Sequence, residues 1–572
     1  MSYPIAYPVN VDVFVVGGGP TSLVTTFLLL KSGIRVLAVE QNDYAQQAMY
    51  GRAGILHSRT LELLDMIGIY ERIADIGFAI REGATYKDGR EVGARGWNFM
   101  FDAVKGRTFF DFSLSIRQRH VEGALRDAVQ DLDKTAIRAP VVFVDYAVDT
   151  SKPIPYALHP RYSRAVKSAL VSWHSLTFRP GLTSLSKYLV GADGGHSSVR
   201  RLAGIGFPGT NSGQRWVRMD AVVETDMPYP RRGVSFESKE YGNVLWNPSD
   251  NGQMLMEEAK RAVQPFTLEF VELDWWTIYS IGQRVAERYR TGPILLAGDA
   301  AHTHSSGAGQ GMNTGIHDAT NLAWKLIGVL KGQFTICPGY VRKERRASHS
   351  TSSTRQRDGH THFWAIASHY NAPPDADPTS NAAFTVGLGI SYAENLLNQR
   401  RLSVGHRAPD AAVARRTSPY IGRFWISSLQ GITADSTRPR LQTGCAATVD
   451  SPLSFVNALA PVFEFLTIRD SGEQPLGKTV SDEDGKCYEV YNLQPRSGGI
   501  VVVRPDGIVG LEATLDGYGV LDSYFAQVVR AAGPPHRHPL YTSGSSGWTL
   551  GEVSIDGGHG EEGLRRWIGA KL

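Results

Sequence analysis

The 572-residue sequence has few cysteines and little net charge, and each shortage excludes a class of protein. Its three cysteines are Cys337, Cys445 and Cys487, and no two of them form a Cys-x-x-Cys pair. This excludes a disulfide framework and fits a reducing, cytoplasmic location. A net charge of +4 is too small to favour nucleic acid or an anionic membrane surface as a partner.

Long apolar runs are also missing. The most apolar stretch, Leu23 to Leu30, is interrupted by Thr25 and Thr26 and is far shorter than the ~20 residues that a membrane span needs. A first strand beginning at Asp12 leaves no room for a cleaved signal, so we expect none. Because 42% of the residues are hydrophobic and 20% are charged, two or three globular domains are expected instead.

A βαβ unit with a glycine-rich turn is predicted near the N-terminus. Residues 12–16 have the short, β-branched pattern of a buried parallel strand, and a helix over 20–31 and a second strand ending at Glu40 follow. Gly17 allows the tight turn, and Gly19 lets the backbone approach a pyrophosphate at the helix N-terminus. Glu40 lies 23 positions after Gly17, near the spacing of a carboxylate that accepts a ribose hydroxyl.

The same unit departs from the dinucleotide fingerprint at one position. Ser22 replaces the third glycine, and it is small enough to permit close helix packing. On this motif alone, a structural turn between strand and helix stays an open alternative. The contacts predicted for a dinucleotide here are Gly17, Gly19, Pro20, Thr21, Ser22, Glu40 and Gln41.

Two later segments carry a resemblance to a known family. Residues 188–200 contain Gly-Ala-Asp-Gly, and residues 294–315 contain Gly-Asp-Ala-Ala-His followed by a glycine-rich helix start. With the first fingerprint, they resemble group A FAD-dependent aromatic monooxygenases. The closest organisation is that of phenol 2-monooxygenase-like members, which have a thioredoxin-like C-terminal domain. The resemblance spans most of the chain and is strongest at residues 10–70 and 290–330.

The second motif also has a physical reading of its own. An apolar run that ends in Gly-Asp predicts a strand that delivers Asp299 to the ligand crevice of an α/β sheet, where it can accept hydrogen bonds from ribityl hydroxyls. A helix from about Gly309 to Leu330 would direct free amides at the flavin pyrimidine. Its positive end would stabilise the charge of reduced flavin.

The resemblance implies roles for further residues. Arg52 corresponds to an arginine near the FAD pyrophosphate and the nicotinamide cofactor, and Gln118 to a ribityl contact. Asp193 belongs to a motif that touches both FAD and NAD(P)H, although a simple cap of the following turn stays open. The later predicted cofactor contacts are Arg52, Gln118, Asp193, Asp299, Gly309, Gly311, Met312 and Asn313.

The implied fold class is α/β. It combines a Rossmann-like FAD-binding domain, an inserted, mostly antiparallel β-sheet substrate domain and a C-terminal thioredoxin-like α/β domain. The monooxygenase region is expected over 1–425 and the tail over 440–572. We expect FAD segments at about 10–130, 187–205 and 290–345, and the substrate sheet at about 85–108 and 207–285. Since the tail has no Cys-x-x-Cys pair, we expect packing or homodimerisation rather than thiol exchange.

Candidate catalytic residues lie in the predicted substrate sheet. The hydroxyl of Tyr279 can bond a substrate oxygen while its ring packs on the substrate, with a core tyrosine as the alternative. Arg284 can lower the pKa of a substrate phenol, with a structural ion pair as the alternative. Phenol hydroxylase-like members often have Asp where this chain has Gly54, which disfavours plain phenol. His302 and His304 lie inside the flavin motif, so we predict no metal site.

The implied function is hydroxylation of an aromatic or phenolic small molecule, such as an aromatic polyketide or other secondary-metabolite intermediate. FAD, NADPH (or NADH) and O₂ would act through a flavin C4a-hydroperoxide. Baeyer–Villiger or epoxidising oxygenation stays open, and so does a non-catalytic flavoprotein subunit. A halogenase is disfavoured because the sequence has no Trp-x-Trp-x-Ile-Pro segment.

Overall fold

The fold is that of a computed structural model, whose chain divides into two compact units, residues 1–531 and 532–572. Every residue that it describes lies in the first unit. The described residues are 10–45, 53–92, 98–148, 158–166, 177–178, 182–229, 232–237, 252–303, 309–332, 383, 386–388, 407–408, 412–417, 420–425, 440–443, 464–470, 479–482, 489–490, 500–504, 506–514, 520 and 523–524.

The elements alternate between strands and helices in the N-terminal part and are mostly strands in the tail. The strands are β1 Val13–Val16, β2 Val36–Val39, β3 Ile55–Leu56, β4 Phe78–Ile80, β5 Gly83–Lys87, β6 Arg90–Glu91, β7 Ser113–Ser115, β8 Ile137–Arg138, β9 Val141–Val148, β10 Leu158–Val166, β11 Thr177–Phe178, β12 Leu182–Thr183, β13 Tyr188–Gly191, β14 Gly209–Thr225, β15 Gly233–Glu237, β16 Leu268–Val285, β17 Arg290–Thr291, β18 Ile294–Leu296, β19 His302–Thr303, β20 Ala412–Thr417, β21 Tyr420–Trp425, β22 Arg440–Thr443, β23 Glu464–Asp470, β24 Thr479–Asp482, β25 Ile500–Val503 and β26 Val509–Ala513. The helices are α1 Pro20–Lys31, α2 Ser58–Met66, α3 Glu71–Ala74, α4 Asn98–Val104, α5 Gln118–Leu132, α6 Ser198–Leu202, α7 Gly252–Ala262 and α8 Gln310–Leu330.

The central sheet confirms the predicted α/β class. Its strand order is β17-β18-β13-β1-β2-β8, and β1 pairs in parallel with both β2 and β13. Val13, Phe14 and Val15 are completely buried, as expected for a parallel strand that is covered on both faces. The carboxyl ends of β1, β13 and β18 therefore lie at one edge of the sheet, where α/β folds bind ligands.

The two helices that follow the predicted motifs have the expected bounds. Helix α1 begins at Pro20 and ends at Lys31, two residues before Gly33, which has a positive φ of 75°. Helix α8 runs to Leu330, as predicted, and is buried over almost its whole length. Both helices contribute to the main hydrophobic core, together with α2 and α5.

An antiparallel sheet lies within the segment for which the substrate sheet is predicted, and its substrate role stays a prediction. The long strands β14 and β16 are antiparallel, and β16 also pairs with β19. A smaller sheet joins β15 to β5 in parallel and β5 to β6 in antiparallel orientation. The segment before β13 contributes strands β9 to β12.

The tail strands form one mixed sheet, in the order β21-β20-β24-β23-β22-β25-β26. Strands β25 and β26 form a hairpin around Gly507, which has φ 67°. Strands β20 and β21 lie before residue 440 yet join this sheet. The thioredoxin-like identity of the tail and its boundary stay predictions. Within the described residues, no helix is both long and apolar enough to cross a membrane.

Candidate functional site

The turn after β1 has glycines because neighbouring groups leave no room for side chains. Gly17 has φ 119°, and a Cβ there would overlap the carbonyl oxygen of Ala192. A Cβ on Gly18 would come within 2.7 Å of the side chain of Glu40. At Gly19, by contrast, a Cβ would meet nothing within 4 Å, so this backbone faces open space. That geometry fits close approach of a pyrophosphate.

Ser22 forms a side-chain hydrogen bond that a glycine at this position could not form. Its side chain is completely buried, and its hydroxyl donates a 2.5 Å hydrogen bond to the carbonyl of Gly17. The substitution therefore preserves close packing and also fastens the first turn of α1 to the end of β1. The hydroxyl of Ser22 therefore stabilises the turn through a hydrogen bond to the protein backbone.

Thr21 is the point at which three parts of the site meet. A Cβ on Gly298 would lie 2.5 Å from Thr21 Oγ1, and one on Gly315 would be closer still. The first turn of α1, the turn after β18 and the first turns of α8 therefore touch one another. Segments that are almost 300 residues apart in sequence form one wall of the site.

The two helices that meet at Thr21 both begin without a side-chain cap. Gly19 is the N-cap of α1, and Gly309, with φ 63°, is the N-cap of α8; neither helix has a side-chain cap hydrogen bond. A Cβ on Gly311 would meet no atom within 4 Å. Uncapped amides and the positive ends of the helix dipoles make both termini suitable for anionic groups such as phosphate.

Glu40 closes the far side of the first turn. Only 8% of its surface is exposed, and it accepts hydrogen bonds from the backbone amides of Asn42, at 2.8 Å, and of Gly18. Burial raises the pKa of Glu40, while these two hydrogen bonds oppose that rise. Its neighbour Gln41 is exposed. The position of Glu40 at the end of β2 suits a carboxylate that accepts ribose hydroxyls.

Asp193 has the capping role that the sequence left open, and its cofactor contact stays a prediction. Its Oδ2 accepts hydrogen bonds from the amides of Ser198, at 2.7 Å, and Val199, at 3.2 Å, and so caps α6. Its Oδ1 is buried and has no hydrogen-bond partner within the described part of the chain. Because a buried, unpartnered carboxylate oxygen is costly, a ligand donor at this point fits the structure.

The oxygen and the nitrogen of the Gln118 side-chain amide both form hydrogen bonds. Its Oε1 accepts from the amide of Ala53 at 3.2 Å, and its Nε2 donates to Glu122 at 2.7 Å. Burial raises the pKa of Glu122 to about 7, with a further contribution from the charge of Glu40. Sequence reasoning missed Glu122, although its place one helical turn after Gln118 could have indicated this contact.

The side chain of Asn313 forms hydrogen bonds with the protein backbone. Its Oδ1 accepts from the amide of His57 at 2.8 Å, and its Nδ2 donates to the carbonyls of Ile55, at 3.0 Å, and Gly309, at 2.7 Å. The start of α8 is thereby tied to β3. The cofactor contact expected of Asn313 stays a prediction. The adjacent Met312 is buried.

The remaining predicted residues are only partly brought together. Asp299 is exposed in the turn after β18, as a ribityl contact requires. Arg284 donates to the carbonyl of Phe207 at 3.2 Å, which favours a structural use. In β16, Tyr279 pairs in register with Trp216, but its side chain lies outside the described residues, and so does Arg52.

The imidazole of His302, from the flavin motif, has a protein partner. It lies 2.5 Å from Asp318, and Asp318 also accepts from the amide of Gly298 at 3.0 Å. This pair fixes the turn after β18 to α8. Within the described residues, no group of three or more His, Cys, Asp or Glu side chains is arranged to hold a metal ion.

Taken together, these features fit FAD. The glycine turn and the α1 terminus suit the pyrophosphate, Glu40 suits the adenosine ribose, and Asp299 suits the ribityl chain. The α8 terminus suits the charge of a reduced flavin ring.

Comparison with known families agrees with this geometry. The family described as FAD binding domain matches residues 10–149, 182–254 and 236–335, just over half of the chain. The family described as phenol hydroxylase, C-terminal dimerisation domain, matches residues 476–533. The second match falls on the tail sheet and includes β24, β25 and β26.

Characterised relatives extend over nearly the whole chain. A 3-hydroxybenzoate 4-monooxygenase of Comamonas testosteroni is 25% identical, covering 92% of this chain and 96% of the relative. A pentachlorophenol 4-monooxygenase of Sphingobium chlorophenolicum is 24% identical, covering 93% of this chain and 100% of the relative.

Solved structures show the same fold. A ternary complex of aklavinone-11 hydroxylase with FAD and aklavinone superposes with a TM-score of 0.67 at 21% identity, covering 91% of this chain and 99% of that one. The flavin-dependent monooxygenase PieE, in complex with FAD and substrate, gives 0.64 at 18% identity, with 91% and 100% covered. The chain therefore belongs to the FAD binding domain family, as an FAD-dependent monooxygenase of the phenol hydroxylase type.

Proposed function

We propose that the protein hydroxylates an aromatic or phenolic small molecule, with NADPH (or NADH) as reductant and O₂ as the oxygen source. The observation that carries this is the contact at Thr21 between two helices whose N-termini have no side-chain cap, α1 and α8. The relatives' names, which include a hydroxybenzoate, a chlorinated phenol and aklavinone, support an aromatic substrate. An aromatic polyketide or other secondary metabolite is our preferred class.

In this proposal, the residues of the chain bind FAD, orient the reacting groups and shield them from water. Bound FAD would supply hydride acceptance from NAD(P)H and oxygen activation for transfer to an electron-rich ring. The Gly17–Gly19 turn and Glu40 hold its nucleotide half, while Asp299 holds the ribityl chain. The N-terminus of α8 stabilises negative charge beside the pyrimidine. The β14–β16 sheet keeps water from the reacting ring.

Two residues of β16 are our candidates for substrate contact and support. The hydroxyl of Tyr279 would bond a substrate oxygen. Arg284, which holds the carbonyl of Phe207, would keep the end of the strand in place, and its role in substrate ionisation stays a prediction. We further propose a homodimer formed through the tail, which the dimerisation-domain match supports, and a cytoplasmic location.

NADPH consumption by the purified yellow protein tests this function. It would be followed with and without a panel of phenols and aromatic polyketides, while peroxide release is recorded. We expect one compound to accelerate NADPH oxidation, with little peroxide and a product that is heavier by one oxygen atom. An ester or epoxide product would instead establish Baeyer–Villiger or epoxidising chemistry. Bound FAD that no compound causes to be reduced faster would favour a non-catalytic flavoprotein subunit.

A further inference from the structure

One end of the β14–β16 sheet is joined to the FAD-binding region by strand pairing. The last residues of β16 pair with β19, Arg284 with Thr303 and Val285 with His302. Strand β19 directly follows the turn that carries Asp299. This end of the sheet, its base, is therefore fixed to the segment that is expected to hold the ribityl chain.

Farther along, a side chain of the FAD-binding region holds the same sheet. Arg117, the N-cap residue of α5, binds Asp220 of β14 at 3.0 Å and also binds Asp274 of β16. Asp274 lies ten residues before Arg284, which corresponds to about 30 Å along an extended strand. Because a two-stranded ribbon is only marginally stable by itself, an attachment this far from the base restricts how the ribbon can move.

A β-bulge brings the two carboxylates to one guanidinium. Asp220 pairs with Trp275 and Ala221 pairs with Leu273, so Asp274 is the extra residue between the two pairs. In a regular strand, Asp274 would point to the face opposite Trp275, and therefore away from Asp220. A bulge redirects side chains, and bulges occur often beside active sites. The irregularity of β16 thus lets one arginine hold both strands.

Arg117 also lies next to an expected flavin contact. The amide of the following residue, Gln118, donates to the carbonyl of Ala53 at 2.9 Å, and its side-chain oxygen accepts from the amide of Ala53 at 3.2 Å. The side chains of Arg117 and Asp220 are 23% and 18% exposed, so water screens their charges only in part. The ion pairs therefore connect the sheet to the segment that carries Gln118.

We propose that Arg117 is a positioning residue, which holds the β14–β16 sheet in the place where it shields the reacting ring from water. The inference rests on the proposed function, which gives the sheet that task. A guanidinium suits the role because its rigid fork of donors can bind two carboxylates at once. Since partly exposed ion pairs contribute little to stability, loss of Arg117 should change water access to the flavin more than folding.

Acrylamide quenching of FAD fluorescence tests the proposal in the oxidised holoenzyme, without turnover. Acrylamide is neutral, so removal of a charged residue does not alter its attraction to the site. In R117Q we expect the quenching constant to rise at least about twofold, because a sheet fixed only at its base opens more often. The dissociation constant of FAD and the unfolding midpoint should stay near their wild-type values.

Two further variants and one control separate this link from a general effect of lost charge. D274N removes the carboxylate at the bulge and should also increase quenching. The double variant R117Q/D274N should exceed R117Q only slightly, because both changes break the same link. R232Q is the control: it removes an arginine of similar exposure that pairs with Glu82 at 2.8 Å, and quenching should not change.

Turnover then distinguishes this inference from the proposed function. With a panel compound that the wild type hydroxylates, R117Q should release more peroxide for each NADPH consumed. Wild-type quenching or wild-type coupling in R117Q, additive effects in the double variant, or an equal rise in R232Q would overturn the role of Arg117 and leave the hydroxylation intact. Quenching that rises only in R117Q and D274N, in a protein that hydroxylates no compound, would support the link and count against the proposed function.

Discussion

Glu122 is a buried carboxyl that holds one of the expected flavin contacts in place. It accepts the Nε2 proton of Gln118, whose Oε1 holds the amide of Ala53. The sequence predicted Gln118 through a resemblance, but burial of Glu122 depends on how α5 packs, which its own residues do not determine. The same limit applies to Arg117, because its ion pair with Asp274 joins positions 157 residues apart.

The raised pKa of Glu122 predicts a pH-dependent stability. Its folded pKa is about 7 against 4.5 for the free side chain, so the folded protein binds the proton more tightly than the unfolded chain. The stability linked to this proton is complete below pH 4.5 and is lost as pH rises through about 7. A shift of this size corresponds to at most about 3 kcal/mol.

Replacement of Glu122 by Gln therefore has an expected outcome. E122Q keeps an acceptor for Gln118 but cannot ionise, so its free energy of unfolding should exceed that of the wild type at pH 8 and approach it at pH 5. Urea unfolding across this range measures the difference. The control is E71Q, which changes an exposed carboxyl in α3. Parallel pH profiles for E122Q and the wild type would contradict the assignment.

Among the elements, α8 connects the flavin end of the site to the β25–β26 hairpin of the tail. Asn321 of α8 donates to Asp506 at 2.9 Å, and Arg504 forms a buried ion pair with the same carboxylate. Burial alone would raise the pKa of Asp506, but the charge of Arg504 and its hydrogen bond hold the pKa below its ordinary value. From α2, Arg59 donates to the carbonyl of Asp506 at 2.5 Å.

Loss of the Asp506 carboxylate should therefore loosen the whole FAD-binding region. D506A removes a carboxylate from a buried ion pair with Arg504, a change that typically costs about 3–5 kcal/mol. We expect a lower unfolding midpoint and faster loss of FAD on dilution, both measurable by flavin fluorescence. The control, D131A, removes an exposed pair with Arg72 and should change stability by less than about 1 kcal/mol. A D506A protein as stable as that control would refute the connection.

These elements differ in how far the sequence could predict them. Helices α1 and α8 could be predicted because glycine, proline and apolar periodicity mark their ends locally. The length of strand β14, Gly209–Thr225, could not be predicted in the same way, because it depends on pairing with β16. The hydrogen bond between Asp506 and α8 could not be predicted, because the sequence of the turn does not show which element packs against Asp506.

For the whole molecule, FAD is expected to hold together segments that are distant in sequence. The site draws on the turn after β1, on Asp193 after β13 and on the start of α8. Folding must bring these segments together, and bound FAD would stabilise that arrangement. A ligand that binds only the folded state adds about 2.7 kcal/mol when present at 100 times its dissociation constant. Thermal unfolding should therefore depend on FAD concentration.

Gly19 allows this cofactor effect to be separated from folding itself. A Cβ there meets no protein atom, and the backbone, at φ −79° and ψ 178°, suits any residue. We expect G19V to unfold, without FAD, at nearly the same temperature as the FAD-free wild type, but to lose the stabilisation by added FAD, because its side chain enters the space assigned to the pyrophosphate. G17A should instead be unstable in both conditions, since its Cβ overlaps the carbonyl of Ala192 at a φ of 119°. If G19V were stabilised by FAD as strongly as the wild type, the pyrophosphate would have to lie elsewhere than at the N-terminus of α1.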